Sequence, residues 1–114
     1  MIAAGLAILD DHRSLEVRVL VDLKVGNATA IRNGILAAWD ERGRRGPLIL
    51  DLAGVWRMDS SGLGALLEIW HRAEDAGVRL AIQGLHDSPR RLFERTGLIA
   101  VLPIAETVAG AQSA

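Results

Sequence analysis

Small and polar residues cluster near the middle of the chain, between an apolar run and an amphipathic stretch. Residues 58–64 read Met-Asp-Ser-Ser-Gly-Leu-Gly. The flanking patterns predict that a strand ends just before this segment and that a helix begins within it. At a helix start the first backbone N–H groups lack partners and the helix dipole presents partial positive charge. A carboxylate, a bound phosphate or a phosphate carried by serine would be stabilised there.

The same residues could have a purely structural role. Asp59, Ser60 and Ser61 are of types that cap helices well, and local chemistry alone favours capping. Gly62 and Gly64 remove side-chain bulk, so that another surface can approach the backbone closely. The residue types therefore allow a helix cap, a modification site or a contact surface.

Three kinds of chemical site do not fit this segment. The phosphate-binding loop of nucleotide hydrolases needs a lysine after its glycines, whereas Leu63 and Ala65 occupy that region. A nucleophile elbow needs glycines two residues before and after a serine, and neither serine has both. His86 and Asp87 could complete a Ser-His-acid triad, but no spacing supports it. We therefore expect no catalytic residues and a protein that is not an enzyme.

The whole chain has the composition of an ordinary globular domain. It has 114 residues, of which 50% are hydrophobic and 24% charged, and we expect residues 1–114 to form a single domain. It contains no cysteine, which excludes disulfides and cysteine-based metal sites, and its three histidines are dispersed. We therefore expect no metal and no cofactor. The net charge of −1 gives no broad electrostatic reason to bind nucleic acid or an anionic membrane.

The apolar stretch at the N-terminus is short. Asp10 and Asp11 interrupt it, and no basic region precedes it. It therefore indicates neither a signal peptide nor a membrane span, and we expect a cytoplasmic protein.

Strands and helices alternate along most of the chain. Residues 15–21 alternate between apolar and mostly polar side chains, which predicts a strand with one buried face, and residues 4–9 can pair with it as a hairpin. Apolar residues at three- and four-residue steps predict a helix from Thr29 to Arg42, capped by Asn27 or Thr29.

The later elements continue this alternation. A short helix is predicted with Ser88 as its N-cap and Gly97 just past its end. The remaining predictions are a strand buried on both faces at 48–52, strands at 78–83 and 98–104, a helix after the serine segment, and a weak helix over 106–114. This order predicts an α/β fold with an N-terminal β-hairpin and a mixed, mostly parallel sheet covered by helices.

Several apolar residues have predicted positions on these elements. Trp39 and Trp70 lie on apolar stripes and are expected to pack in the core or at its edge, whereas Trp56 could contact a partner. Ile69 is placed on the outward side of the helix that follows the serine segment, with Glu68, and is a candidate interface anchor.

The ordered combination of elements resembles one family. The run from Leu48 to about Pro103 resembles the STAS domain of bacterial anti-sigma-factor antagonists. Family members have a hydrophobic strand ending in Asp-Leu, an Asp-Ser-Ser/Thr-Gly-Leu motif, an amphipathic helix, a glycine followed by a strand, and a short helix ending in Gly-Leu. In this chain the Asp-Leu pair is residues 51–52 and the serine motif is residues 59–63, followed by the amphipathic helix. Gly77 precedes the next strand, and the Gly-Leu pair is residues 97–98. Asp-Ser-Ser-Gly alone is a weak motif, but the ordered series is specific.

The resemblance implies a STAS fold and a regulatory function. In that family a serine of the motif is phosphorylated by a partner that is both an anti-sigma factor and a serine kinase, and this position falls on Ser60. The unphosphorylated protein binds its partner and so releases a sigma factor, and a phosphatase is implied. A phosphoserine adds about −1.5 to −2 charge, which beside Asp59 would be repelled by an acidic partner surface. The resemblance places partner contacts at Asp59, Ser60, Ser61, Gly62, Lys24 and Val25.

The loop over residues 21–26 departs from the family pattern, because Lys24 stands about where relatives carry an acidic residue. Since this loop lies beside the serine motif in relatives, the departure concerns the partner and leaves the fold unaffected. Two other roles stay open. One is a constitutive assembly subunit of a stress-signalling complex or lipid transporter, in which Ser60 only caps the helix. The other is an independent domain that binds an anion or nucleotide at the helix start.

Overall fold

A five-stranded mixed sheet forms the centre of the computed structural model, which describes residues 2–105. The strands lie in the order β1-β2-β3-β4-β5, and β1 to β3 are antiparallel neighbours whereas β3, β4 and β5 are parallel. Their bounds are β1 Ile2–Ala3, β2 Leu6–Asp10, β3 Leu15–Val19, β4 Leu48–Asp51 and β5 Leu80–Gln83. The predicted α/β class, N-terminal hairpin and mostly parallel sheet are therefore confirmed.

Three helices connect and follow the parallel strands. Helix α1 spans Ala28–Glu41 between β3 and β4, α2 spans Ser60–Asp75 between β4 and β5, and α3 spans Asp87–Arg95. Helices α1 and α2 pack against each other, and one hydrophobic cluster joins them to the strands. Trp39 is fully buried in this cluster, as expected, while Trp70 lies at its margin.

The strands bury alternate side chains, as period-two patterning requires. Leu15, Val17 and Val19 of β3 are all 0% exposed, whereas Arg18 between them is exposed. In β4 the fully buried residues also alternate with half-buried ones, which differs from the uniformly buried strand expected there.

The last predicted strand, over residues 98–104, is wrong. After Gly97, which has a φ of +78°, the chain forms a 3-10 helix over Leu98–Ala100. The backbone N–H groups of Val101 and Leu102 donate to the Leu98 carbonyl, so these residues do not pair with β5. In the described residues, pairing with that strand is limited to a single parallel bridge between Ile104 and Ile82, in which the Ile82 N–H donates to the Pro103 carbonyl and the Ala105 N–H donates to the Ile82 carbonyl. The weak helix expected over 106–114 lies outside the described residues.

The two predicted helix caps have different outcomes. Asn27 is the N-cap residue of α1, although its side chain forms no capping hydrogen bond. Helix α3 begins at Asp87 after His86, one residue before the predicted N-cap Ser88, so that prediction is wrong. Within residues 2–105, no helix is long and apolar enough to span a membrane, and no group of three or more acidic or histidine side chains could hold a metal ion.

Candidate functional site

Two loops meet at the C-terminal ends of the parallel strands β3 and β4. We call residues 20–27, between β3 and α1, the first loop, and residues 52–59, between β4 and α2, the second loop. Leu23 and Met58 form a parallel bridge outside the sheet proper. The Leu23 N–H donates to the Arg57 carbonyl at 3.1 Å, and the Asp59 N–H donates to the Leu23 carbonyl at 3.2 Å. The pairing of β3 with β4 therefore continues into the loops.

A carboxylate from each loop binds backbone N–H groups of the other loop. Asp22 of the first loop accepts hydrogen bonds from the N–H groups of Trp56 and Arg57, both at 3.0 Å through one oxygen. Asp59 of the second loop accepts from the Val25 N–H at 2.9 Å. We call the paired segments 22–25 and 56–59 the two-loop frame. Backbone N–H groups that would otherwise bind water in a turn are hydrogen-bonded to these two carboxylates within the frame.

Asp59 is also the N-cap of α2. Its Oδ1 accepts from the N–H groups of Ser61 at 2.9 Å and Gly62 at 3.1 Å, while Oδ2 binds Val25. Ser60 is the first helical residue and makes no capping bond. Of the three residues considered as caps, Asp59 alone has that role, and the alternative in which Ser60 caps the helix is wrong.

These hydrogen bonds hold both carboxylates in their ionised form. The pKa of Asp59 is lowered, chiefly by the Val25 N–H and further by the N–H groups of Gly62 and Ser61 and the charge of Lys24, although partial burial opposes this. The pKa of Asp22 is lowered mainly by the N–H groups of Arg57 and Trp56. Because both groups are occupied as acceptors, the arrangement serves to fix the loops and is unsuited to proton transfer at neutral pH.

The side chain of Ser60 is exposed at the start of α2. Among the described residues, no hydrogen bond involves its hydroxyl. Ser61 is half-buried, and its N–H is bound to Asp59. The accessible hydroxyl of the motif is therefore that of Ser60.

Gly62 is buried against the first loop. A Cβ atom at this position would lie 2.4 Å from the Leu23 carbonyl oxygen and 2.8 Å from Cγ of Met58. The space beside Gly62 is thus filled by the chain itself, which corrects the expectation that a partner surface approaches there. At Gly64 a Cβ atom would meet no heavy atom within 4 Å.

Ile69 is 0% exposed, so its prediction as an interface anchor is wrong. The residues that α2 buries follow helical spacing: Gly62, Leu63, Ala65, Leu66, Ile69 and Ala73. Trp70, which was predicted to lie on the apolar stripe, and its neighbour in the helix Leu67 are only partly buried. The steps from Leu66 to Ile69 and Ala73 were visible in the sequence and would have placed the stripe correctly.

The other predicted partner contacts are accessible. Lys24 is exposed, and Val25 of the same loop is 77% exposed. Trp56 of the second loop is 63% exposed, and its ring is stacked on that of His86 with centroids 3.6 Å apart. Nothing in the sequence signals this stack, because the two residues come from loops after different strands.

Comparison with known proteins identifies the family. A family model described as STAS domain matches residues 7–111. Similar solved structures include a candidate anti-sigma factor antagonist from Thermotoga maritima, at 18% identity and a TM-score of 0.81, covering 95% of this chain and 92% of that one. SpoIIAA, an anti-sigma factor antagonist in its unphosphorylated form, is 17% identical with a TM-score of 0.61 and coverages of 85% and 99%. A sulfate transporter family protein from Wolinella succinogenes is 24% identical with a TM-score of 0.66 and coverages of 84% and 79%.

At these identities the structural likeness establishes a shared fold. Antagonists and a transporter family protein both have it, so the fold alone does not select between regulatory and transporter-associated roles. The family match covers most of the chain and includes the two-loop frame, all of α2 and α3. The chain therefore belongs to the STAS domain family.

Proposed function

We propose that residues 1–114 form a single cytoplasmic STAS domain that acts as an anti-sigma-factor antagonist. In its unphosphorylated form it binds an anti-sigma factor with serine kinase activity and so releases a sigma factor. Phosphorylation of Ser60 ends this binding, and a phosphatase restores it. The protein is then a binding module without catalysis of its own. The observation that carries the proposal is the exposed hydroxyl of Ser60 at the first residue of α2.

The surroundings of Ser60 suit a phosphorylation switch. A kinase can reach the hydroxyl without unfolding the helix, and the dipole of α2 favours negative charge at this end. Asp59 already accepts hydrogen bonds from the N–H groups of Ser61 and Gly62, so the charge of a phosphate would be added to that of the carboxylate. The phosphate would add about −1.5 to −2 charge beside an ionised carboxylate. Such a concentration of negative charge is hard to desolvate within a protein interface.

The relatives support the same reading. The antagonists share the fold over most of their length, and SpoIIAA is described in its unphosphorylated form. The proposal assigns partner binding to that form. Lys24 and Val25 would contact the partner beside Ser60, because their loop is bound to the helix start through Asp59.

Phosphorylation can be tested directly. The purified protein is incubated with ATP and each serine-kinase anti-sigma factor encoded in the same genome, and its intact mass and modified peptide are measured. We expect one phosphate on Ser60, none on a Ser60→Ala variant, and unchanged modification of a Ser61→Ala variant. A kinase that binds the protein firmly yet places no phosphate on Ser60 would refute the switch.

Binding provides the second test. Ser60→Ala should bind the kinase whether or not ATP is present, and Ser60→Asp should bind more weakly. Because Asp59 caps the helix, neither substitution removes the cap, so loss of binding cannot be attributed to a frayed helix. Thermal unfolding of both variants provides the control.

The alternative is a constitutive assembly subunit of a stress-signalling complex or a lipid transporter. The shared fold of a sulfate transporter family protein favours keeping it. In that role Ser60→Ala and Ser60→Asp should bind their partner equally, and no kinase should modify the protein.

A further inference from the structure

Trp56 is a large apolar side chain that is exposed and yet held in place. Its backbone N–H donates to Asp22 at 3.0 Å, and its ring lies on that of His86 with an interplanar angle of 17°. The His86 ring is held in turn, because its Nε2 lies 2.7 Å from the Ala53 carbonyl oxygen, to which it donates. An aromatic side chain that is already immobilised loses little further entropy when a partner covers it.

Trp56 belongs to the same rigid unit as Ser60. Asp22, which holds Trp56, lies in the first loop, and that loop is bound to Asp59 through the Val25 N–H. Val25 and Trp56 are the two most exposed large apolar residues of the described chain, at 77% and 63%, and both lie in the two-loop frame. The frame that holds the start of α2 therefore also carries two exposed apolar side chains.

A cleft beside Trp56 adds to the surface that its ring offers to a partner. The cleft of about 390 Å³ adjoins the ring and is lined by Leu85, His86, Asp87, Ser88 and Arg91. The exposed cations of this region, Lys24, Arg57 and Arg91, are balanced by the ionised carboxylates of Asp22 and Asp59 and by Asp87. What distinguishes the surface is therefore the exposed ring beside the cleft, which fits a partner that presents an apolar side chain.

We propose that Trp56 is the aromatic anchor of the surface that binds the anti-sigma kinase, that His86 is its positioning residue, and that the partner covers the ring with an apolar side chain. This inference rests on the proposed function and extends it. It also accounts for release, since a phosphate on Ser60 would place charge that is hard to desolvate beside an apolar contact.

The experiment measures the affinity of unphosphorylated variants for the kinase that modifies Ser60. Trp56→Ala should weaken binding about 30-fold, the effect of an interface hot spot, whereas Trp56→Phe keeps most of the affinity. Leu9→Ala is the matched control, because Leu9 is a 44% exposed apolar residue on β2, beside the start of β3 and away from the serine end. It should bind like the wild type.

His86 is tested by two substitutions that separate its functions. His86→Gln keeps a donor for the Ala53 carbonyl but removes the ring, and should weaken binding several-fold. His86→Phe keeps a ring beneath Trp56 and should restore the affinity. Circular dichroism and thermal unfolding establish that each variant is folded. Equal binding by both variants would overturn the positioning role.

The outcomes separate this inference from the function on which it rests. If the wild type binds the kinase and is released on Ser60 phosphorylation, but Trp56→Ala binds as tightly as Leu9→Ala, the anchor is overturned and the function stands. If the wild type binds none of the kinases, the proposed function fails and the anchor fails with it.

Discussion

Alanine should have opposite effects at two glycines of α2. At Gly62 a Cβ atom would lie 2.4 Å from the Leu23 carbonyl oxygen, which belongs to backbone and cannot rotate away. The first loop would have to move from the helix, and the bond from the Asp59 N–H to that same carbonyl would be strained. At Gly64 a Cβ atom meets nothing within 4 Å.

The magnitudes follow from these contacts. Overpacking a close contact costs about 1–3 kcal/mol, and the better helix propensity of alanine returns up to about 1 kcal/mol, so Gly62→Ala should destabilise the protein by about 1–2 kcal/mol. Gly64→Ala gains the propensity without the clash and should stabilise it by up to about 1 kcal/mol. The two variants should therefore differ by about 1–3 kcal/mol in their free energy of unfolding, which is the cost of the overpacked contact.

Urea unfolding followed by circular dichroism measures both variants against the wild type. The comparison is valid where the slope of free energy against urea concentration is unchanged, since the shift in midpoint then reports stability. A Gly62→Ala midpoint equal to or above that of Gly64→Ala would refute the close contact between the first loop and α2. Gly62→Ala should also bind the kinase more weakly, because Val25 is displaced.

Three further predictions concern charge and burial. The pKa values of Asp22 and Asp59 are lowered from 3.8, so their stabilising contribution is complete above that value. The contribution is lost as the pH falls through that value towards their folded-state pKa. Urea midpoints should therefore decline below about pH 4.5, and less steeply for Asp59→Asn. Lys24→Glu replaces an attractive charge by a repulsive one beside both carboxylates, which raises their pKa and should move the acid decline of the urea midpoint to higher pH, whereas Arg79→Glu should not. Ile69→Ala should cost about 2–5 kcal/mol of unfolding free energy, measured in urea, as expected for a fully buried side chain; a loss below about 0.5 kcal/mol would show Ile69 to be exposed.

Local patterning predicts most of the fold. The alternation over residues 15–19 follows from the sheet, which buries every second side chain of β3. The stop at Gly97 follows from its positive φ. The final segment could not be assigned in the same way, because the apolar run over residues 98–104 fits a strand as well as a 3-10 turn. The hydrogen bonds from the N–H groups of Val101 and Leu102 to the Leu98 carbonyl distinguish the 3-10 turn from a strand.

The serine motif was recognisable in the sequence, but the hydrogen bonds that hold it against the first loop were not. The bond between Asp59 and the Val25 N–H joins residues 34 apart in sequence, and it depends on how the loops after two parallel strands meet. Trp56 and His86 are likewise brought together only by the sheet. Ile69 is a different case: it was predicted to be exposed because the predicted apolar stripe of α2 was rotated by about one residue from the observed stripe.

The reciprocal bonds of Asp22 and Asp59 limit how specificity can be transferred between relatives. A chimaera that imports only one of the two loops pairs each carboxylate with backbone N–H groups whose positions depend on the conformation of the other, unmatched loop. Residues 22–25 and 56–59 should therefore be exchanged together, as one cassette, and substitutions within them should be strongly non-additive. Divergence of partner choice in such domains would then proceed by paired changes in two distant stretches of chain.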